Sequence, residues 1–232
     1  MHQTCEALGE ILSIDSNAVE LGIKVAYSLS WGKPSRILDS SLLDPQVERL
    51  LGELKSRYAL ERLRSDPVVR AYRDFYWRIG IDPTKTRPSS EALVRRALRG
   101  RWPKISPLVD AGNIASARYM VPIGLYDADK FKPPARIAIS QGGERFRPIG
   151  GGEEVLKRGV PILVDARGVV MHVYPHRDSV DTMIRDDTSK VLIVAAGVPG
   201  IDKDRLTAAV REVQQLYALL GWESCSSIYV KP

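Results

Sequence analysis

The sequence predicts an α+β fold, and three observations carry that prediction. Apolar residues recur at helical spacing between residues 44 and 119, behind recognisable start signals. After Pro122 the apolar runs shorten and are separated by glycine and proline turns, as strands are. A last amphipathic pattern over residues 202–220 predicts one more helix. Helices mostly first and strands mostly later indicate α+β rather than an alternating βαβ array.

Taken in order, residues 1–40 form a mixed opening with short β-like runs. The clearest is Leu21-Gly22-Ile23-Lys24-Val25-Ala26-Tyr27. Asp44-Pro45 then reads as a helix start: Asp44 is placed to cap, and proline at the first helical position loses no needed donor. Val47, Leu50, Leu51, Leu54 and Tyr58 make the apolar stripe of that helix. Asp66-Pro67 repeats the signal for a helix through Tyr72, Tyr76 and Trp77, ending at Gly80. After a breaker-rich loop, Ser89 or Ser90 caps a third helix that stops at Gly100, and Ser106-Pro107 opens a fourth to about Tyr119. Strands are expected at residues 137–139, 162–164, 169–171 and 191–194. Leu206, Val210, Val213 and Tyr217 form the inner side of the last helix, and residues 226–230 a closing strand. The expected organisation is one domain: a β/helical extension over 1–65, a core over 66–200, and a terminal helix and strand over 201–232.

The 232 residues suffice for a sizeable core, and 44% hydrophobic with 27% charged residues is an ordinary globular composition. No run approaches the roughly 18 apolar residues of a membrane span, and the first residues lack the basic-then-apolar order of a signal peptide. Cys5 and Cys225 sit near opposite ends. They can meet in space, but a lone pair argues for neither a metal motif nor a disulfide framework, and a cytoplasmic setting is expected. Net charge is +6, and its distribution is uneven. Lys85, Arg87, Arg95, Arg96, Arg99, Arg101 and Lys104 meet a single acid, Glu91. That run reads either as a solvated helix face or as a phosphate-contacting RNA surface.

Few short motifs carry chemistry by themselves. His172 and His176 are four apart, but their segment is strand-like and interrupted by Pro175, so a shared helical face for a metal is not expected. In a strand, His172 and Tyr174 share one face and Val173 takes the other. His176, Asp178 and Ser179 are too close in sequence to assemble as a hydrolytic triad. Gly150-Gly151-Gly152 lacks the lysine and serine of a phosphate loop and reads as a turn. Arg70, Arg73 and Arg78 interleave with Tyr72, Phe75, Tyr76 and Trp77, as in single-stranded RNA readers; an aromatic core side with arginines in water explains the same pattern. No cofactor and no metal are expected.

Several phrases in fixed order resemble the B3/B4 domain of the phenylalanyl-tRNA synthetase β subunit, in its free-standing branch. They are Tyr72-Arg73-Asp74-Phe75-Tyr76, the stretch from Gly80 to Leu93 containing Asp82-Pro83-Thr84-Lys85-Thr86-Arg87-Pro88, and Pro107-Leu108-Val109-Asp110-Ala111-Gly112-Asn113-Ile114-Ala115-Ser116. The run from Val121 to Lys130 and Arg177-Asp178-Ser179 with Thr182 and Thr188 complete the set, over roughly residues 65–200. The resemblance implies a B3/B4-type fold, with an unusual β-sandwich core flanked by helices. It also implies an editing pocket that hydrolyses the ester of a wrongly charged tRNA in trans.

By the same resemblance, the family's pocket asparagine looks like Asn113, its aspartate like Asp127 and its threonine like Thr188. The family histidine falls on Gly124, and its Gly-Gly-Glu phrase is replaced by His176-Arg177-Asp178-Ser179. Ester hydrolysis needs a positioned water and oxyanion stabilisation more than a covalent nucleophile. Asn113 is then expected to orient the amino-acid end or the water, Arg177 to offset negative charge, and Asp178 to act as general base. Gly124, Tyr126, Asp127, His176, Ser179, Thr182 and Thr188 complete the expected pocket. The expected partner is tRNA or aminoacyl-tRNA, with no membrane. A non-catalytic tRNA- or RNA-binding module and a binder of a small amino-acid derivative are the alternatives.

Overall fold

A computed structural model describes residues 5–232. In chain order the elements are β1 (Leu12–Ile14), α1 (Ser16–Glu20), β2 (Lys24–Trp31), α2 (Asp44–Arg57), α3 (Pro67–Arg78), α4 (Ser89–Leu98) and α5 (Pro107–Tyr119). The strands β3 (Ile123–Asp127), β4 (Ala135–Ile139), β5 (Arg145–Phe146), β6 (Glu154–Val155), β7 (Pro161–Val164), β8 (Val170–Val173), β9 (Arg177–Asp178) and β10 (Lys190–Gly197) follow. The chain closes with α6 (Lys203–Leu219), β11 (Glu223–Ser224) and β12 (Tyr229–Lys231).

Two sheets organise the molecule. One has the order β1-β4-β7-β8-β9; the other runs β11-β2-β10-β3, with β12 also on β2. The β5–β6 hairpin is a separate two-stranded sheet whose Phe146 packs on the first sheet, and Gly150-Gly151-Gly152 lies in its turn. Strand β10 is central because it is apolar on both faces: Val191 to Ala196 are all buried. It pairs antiparallel with β2 along its whole length, from Lys190↔Trp31 to Gly197↔Lys24. The N-terminal segment therefore supplies a central strand, one that starts three residues later than the apolar run suggests and extends to Trp31.

Helix α6 covers β2 and β10 and packs on α5. Leu206, Val210, Val213 and Tyr217 are buried on its inner side, each large side chain contributing about 1.5–3 kcal/mol. Asp202 caps it by accepting from the Arg205 amide at 2.6 Å. Asp66 likewise caps α3, accepting from Val68 and Val69. Two expected caps differ. Asp44 is already helical, because a 3₁₀ turn over Ser40–Leu43 runs directly into α2. Ser89 is the first residue of α4, Pro88 takes the cap position, and no side chain caps that end.

The chain ends are tied together on β2. Cys5 and Cys225 form a disulfide with Cα atoms 5.6 Å apart, so the two cysteines do pair. Tyr229 on β12 stacks on Tyr27 at 5.9 Å. Gly9 is required there, since a Cβ on it would press into the Tyr229 ring at 2.9 Å. Among the described residues no helix is long and apolar enough to cross a membrane.

Candidate functional site

The two sheets, α4 and α5 meet around a cavity of about 140 Å³. Ile137, Leu163, His172 and Tyr174 reach it from the first sheet, and Gly124, Tyr126, Val194 and Ala196 from the second. Helix α5 adds Asn113 and Ser116; α4 adds Ser89 and Leu93. The turn between β8 and β9 adds Pro175 and His176, and β9 adds Asp178. Period-2 geometry explains the pairs Gly124/Tyr126, Val194/Ala196 and His172/Tyr174, each two residues apart on one strand face.

The polar centre is an imidazole–carboxylate pair made by a hairpin. His172 and Asp178 are directly opposite in the β8–β9 register, and His172 Nδ1 lies 2.8 Å from Asp178 Oδ1. The imidazole sits edge-on between Tyr126 (6.2 Å) and Tyr174 (6.0 Å). Tyr174 fixes the hairpin to the other sheet by donating its hydroxyl to Gly197 O at 2.7 Å. Burial raises the Tyr126 phenol well above its ordinary pKa, and the neighbouring Asp178 charge adds to the shift. His176 behaves in the opposite sense. Burial first, then the nearby His172 and Arg177, lower its pKa to about 3, so its ring is neutral at ordinary pH. Ser116 Oγ and His176 Nδ1 have no hydrogen-bonding partner among the described residues.

Gly124 has a steric reason. The Tyr126 side chain folds back over it, and a Cβ there would overlap the phenol hydroxyl. The ring thus occupies the space that a side chain at Gly124 would claim. No cluster of three His, Cys, Asp or Glu suited to a metal occurs among the described residues.

Of the expected site residues, the fold brings Asn113, Gly124, Tyr126, His176 and Asp178 to the cavity. Arg177, Asp127, Ser179, Thr182 and Thr188 do not line it. Arg177 forks onto Glu154 of β6 and stacks over Phe146 at 5.2 Å, because alternation on β9 turns it away from Asp178. Asp127 accepts from Thr188 Oγ1 at 2.7 Å, a buried pair that joins β3 to the turn before β10. Ser179 donates to Asp181, and Thr182 is fully buried. His172, Ser116 and Ser89 line the cavity although none is among the expected pocket residues: the sequence raises His172 only as a metal ligand and Ser89 only as a helix cap. Only the pairing of residues 172 and 178 across the Pro175 turn signalled the first.

The basic run divides. Glu91 is buried and receives Arg73 through two 2.8 Å hydrogen bonds and Arg95 through one of 2.7 Å. Burial alone raises its pKa, but the two guanidinium groups outweigh that and hold it below the usual carboxylate range. Lys104 pairs with Asp44 at 2.7 Å. Lys85, Arg87, Arg96, Arg99 and Arg101 are exposed and make no ion pair among the described residues. Of the α3 aromatics, Tyr72, Phe75 and Tyr76 are core, whereas Trp77 is 57% exposed.

Comparison with known proteins agrees with this architecture. The crystal structure of an N-terminal fragment of the phenylalanyl-tRNA synthetase beta-subunit from Pyrococcus horikoshii superposes with a TM-score of 0.52 at 17% identity. The match covers 95% of this chain and 54% of that one, so the chain spans about half the length of its structural relative, and the likeness is one of fold. No curated protein matches. Residues 71–218 match the B3/4 domain, well over half of the chain. The chain therefore belongs to the B3/4 domain family.

Proposed function

We propose that this protein hydrolyses the ester between an amino acid and the terminal ribose of a misacylated tRNA, acting in trans. The observation that carries the reading is the polarity of the cavity: it offers an imidazole–carboxylate pair and an asparagine amide, and among the described residues no lysine or arginine lines it. A free amino acid would have to strip water from its carboxylate with no cation to receive it, which is costly in so enclosed a space. In an aminoacyl ester that carboxylate is already neutralised, and the ammonium has the Asn113 carbonyl as an acceptor. A cavity of this order holds a benzene-sized group, enough for a modest amino-acid side chain.

Family membership and the synthetase fragment supply the tRNA setting. The exposed Lys85, Arg87, Arg96, Arg99 and Arg101 supply a cationic surface for its phosphates. Lys85 and Arg87 immediately precede cavity-lining Ser89, so part of that surface adjoins the site in the chain. The reading places the protein beside translation in the cytoplasm. In that setting the disulfide meets the cytosolic thiol pool, with Cys225 buried and Cys5 half-buried.

The test is a deacylation panel of tRNAs charged with each amino acid. Release of one or a few amino acids above the uncatalysed rate is expected, and no release from any charged tRNA overturns the proposal. Reversing Arg96 and Arg99 to glutamate should weaken tRNA binding and flatten its salt dependence by about one unit of slope per lost phosphate contact.

A further inference from the structure

We infer that His172 is the general base of this site and that Asp178 is its positioning residue. The inference rests on the hydrolytic reading above. Three groups near the cavity's polar centre are candidates for taking a proton from water: Asp178, His176 and His172. Asp178 has Oδ1 committed to the His172 ring. His176 is a poor base near neutrality, because its buried ring resists protonation until about pH 3. His172 Nδ1 is held by Asp178, and no hydrogen bond from a described residue engages Nε2. A carboxylate accepting from Nδ1–H leaves the lone pair on Nε2 and fixes the ring's orientation.

The surroundings keep the ring in place. Asp178 holds it across the strand pair, Tyr126 faces it from β3, and Tyr174 flanks it along β8. His176 is the remaining titratable neighbour. Tyr174 is itself anchored to β10, so the imidazole belongs to a rigid hairpin rather than to a loop.

In the reaction, Nε2 takes a proton from water as the water oxygen bonds to the ester carbonyl carbon, and the carbonyl electrons move onto its oxygen. When that tetrahedral species collapses, the bond from carbon to ribose oxygen breaks. The imidazolium returns its proton to that oxygen, giving a free ribose hydroxyl. The amino acid leaves as its carboxylic acid, which ionises in solution. Water is the co-reactant, and no oxidant or metal enters the balance.

The experiment has a kinetic arm and a spectroscopic arm, both on the full chain. Using the tRNA that the wild-type protein deacylates fastest, His172→Gln should lower kcat by about a hundredfold or more with KM within about threefold. Should that variant unfold, His172→Ala with added imidazole replaces it, and rescue of the rate is expected. Asp178→Asn should lower kcat less. The chain has only three histidines, so long-range proton–nitrogen spectra resolve each ring. His172 is expected to carry its neutral-state proton on Nδ1, and Asp178→Asn to abolish that preference. A wild-type deacylase whose His172→Gln variant keeps its rate within a few-fold overturns the role of His172 and leaves the hydrolytic reading standing. A neutral-state proton on Nε2 also overturns the role. No deacylation of any charged tRNA by the wild type overturns both.

Discussion

The layer beneath α6 and the wall of the cavity are built from similar residues and treat their polar atoms differently. Under α6, Gln214 donates to Ser28 Oγ at 2.8 Å and to Cys225 O at 2.9 Å. Ser30 pairs with Ser224, Tyr217 donates to Leu108 O, and Trp222 donates to Lys33 O. Trp31 Nε1, at the end of β2, and one nitrogen of Arg118, whose guanidinium pairs with Glu212 of α6, are exceptions. At the cavity, Ser116 Oγ and His176 Nδ1 have no partner among the described residues although both lie in the interior. Buried polar groups are ordinarily paired, so a scaffold region shows closed hydrogen-bond accounts and a binding region shows open ones. Among the described residues, unpaired atoms also occur away from the cavity, at Trp102, Arg177 and Thr182 among others, so it is their coincidence with a cavity wall that favours a ligand there.

The largest expected effect comes from the open side under acid. His176 has a folded pKa of about 3 against an ordinary value near 6.5, so below pH 6.5 the unfolded chain binds a proton that the folded chain refuses. The neutral ring's contribution is intact above pH 6.5 and is lost as pH falls from there toward 3. His176→Asn removes this linkage, and by pH 4 the wild type should have lost on the order of 2–3 kcal/mol more stability than the variant. Urea unfolding at pH 7, 5.5 and 4 measures it; parallel losses in the two proteins would show that the ring is not held neutral.

A middle-sized effect is expected on the closed side. Gln214→Leu keeps the apolar contacts and strips the Cys225 carbonyl of its donor, which should cost about 1–2 kcal/mol in chemical denaturation without altering the cavity. The smallest stability effect belongs to Ser116→Ala. Its hydroxyl has no partner among the described residues, so stability should move by less than about 0.5 kcal/mol in either direction. Deacylation should nonetheless slow, because the ligand loses a hydrogen bond. Equal costs for the two substitutions would erase the distinction between the layers.

Much of the scaffold was legible in the sequence, because its signals are local. Asp66-Pro67, Ser106-Pro107 and the apolar spacing of Leu206, Val210, Val213 and Tyr217 each act within a few residues, and α3, α5 and α6 lie where those signals put them. Asp44 and Ser89 misled for a related reason: a preceding 3₁₀ turn or proline took the cap position that side-chain chemistry alone assigned to them. The site was less legible because it is assembled across elements. Read along β8, His172 is an unremarkable strand residue; read across the turn, it faces Asp178. Likewise, Asp127 and Thr188 have the chemistry of pocket residues, and their 2.7 Å bond to each other engages it elsewhere. The steric relation of Gly124 to Tyr126 depends on a rotamer that no spacing rule contains.

The Cys5–Cys225 bond closes nearly the whole chain into a covalent ring. A single backbone cut between the two cysteines, for instance in the glycine-rich β5–β6 turn, leaves one connected molecule. Its pieces part only when the disulfide is also reduced. The central strand β2 is gripped at that closure: β11 pairs with it from the last residues inside the ring, and β12 pairs with it from just outside.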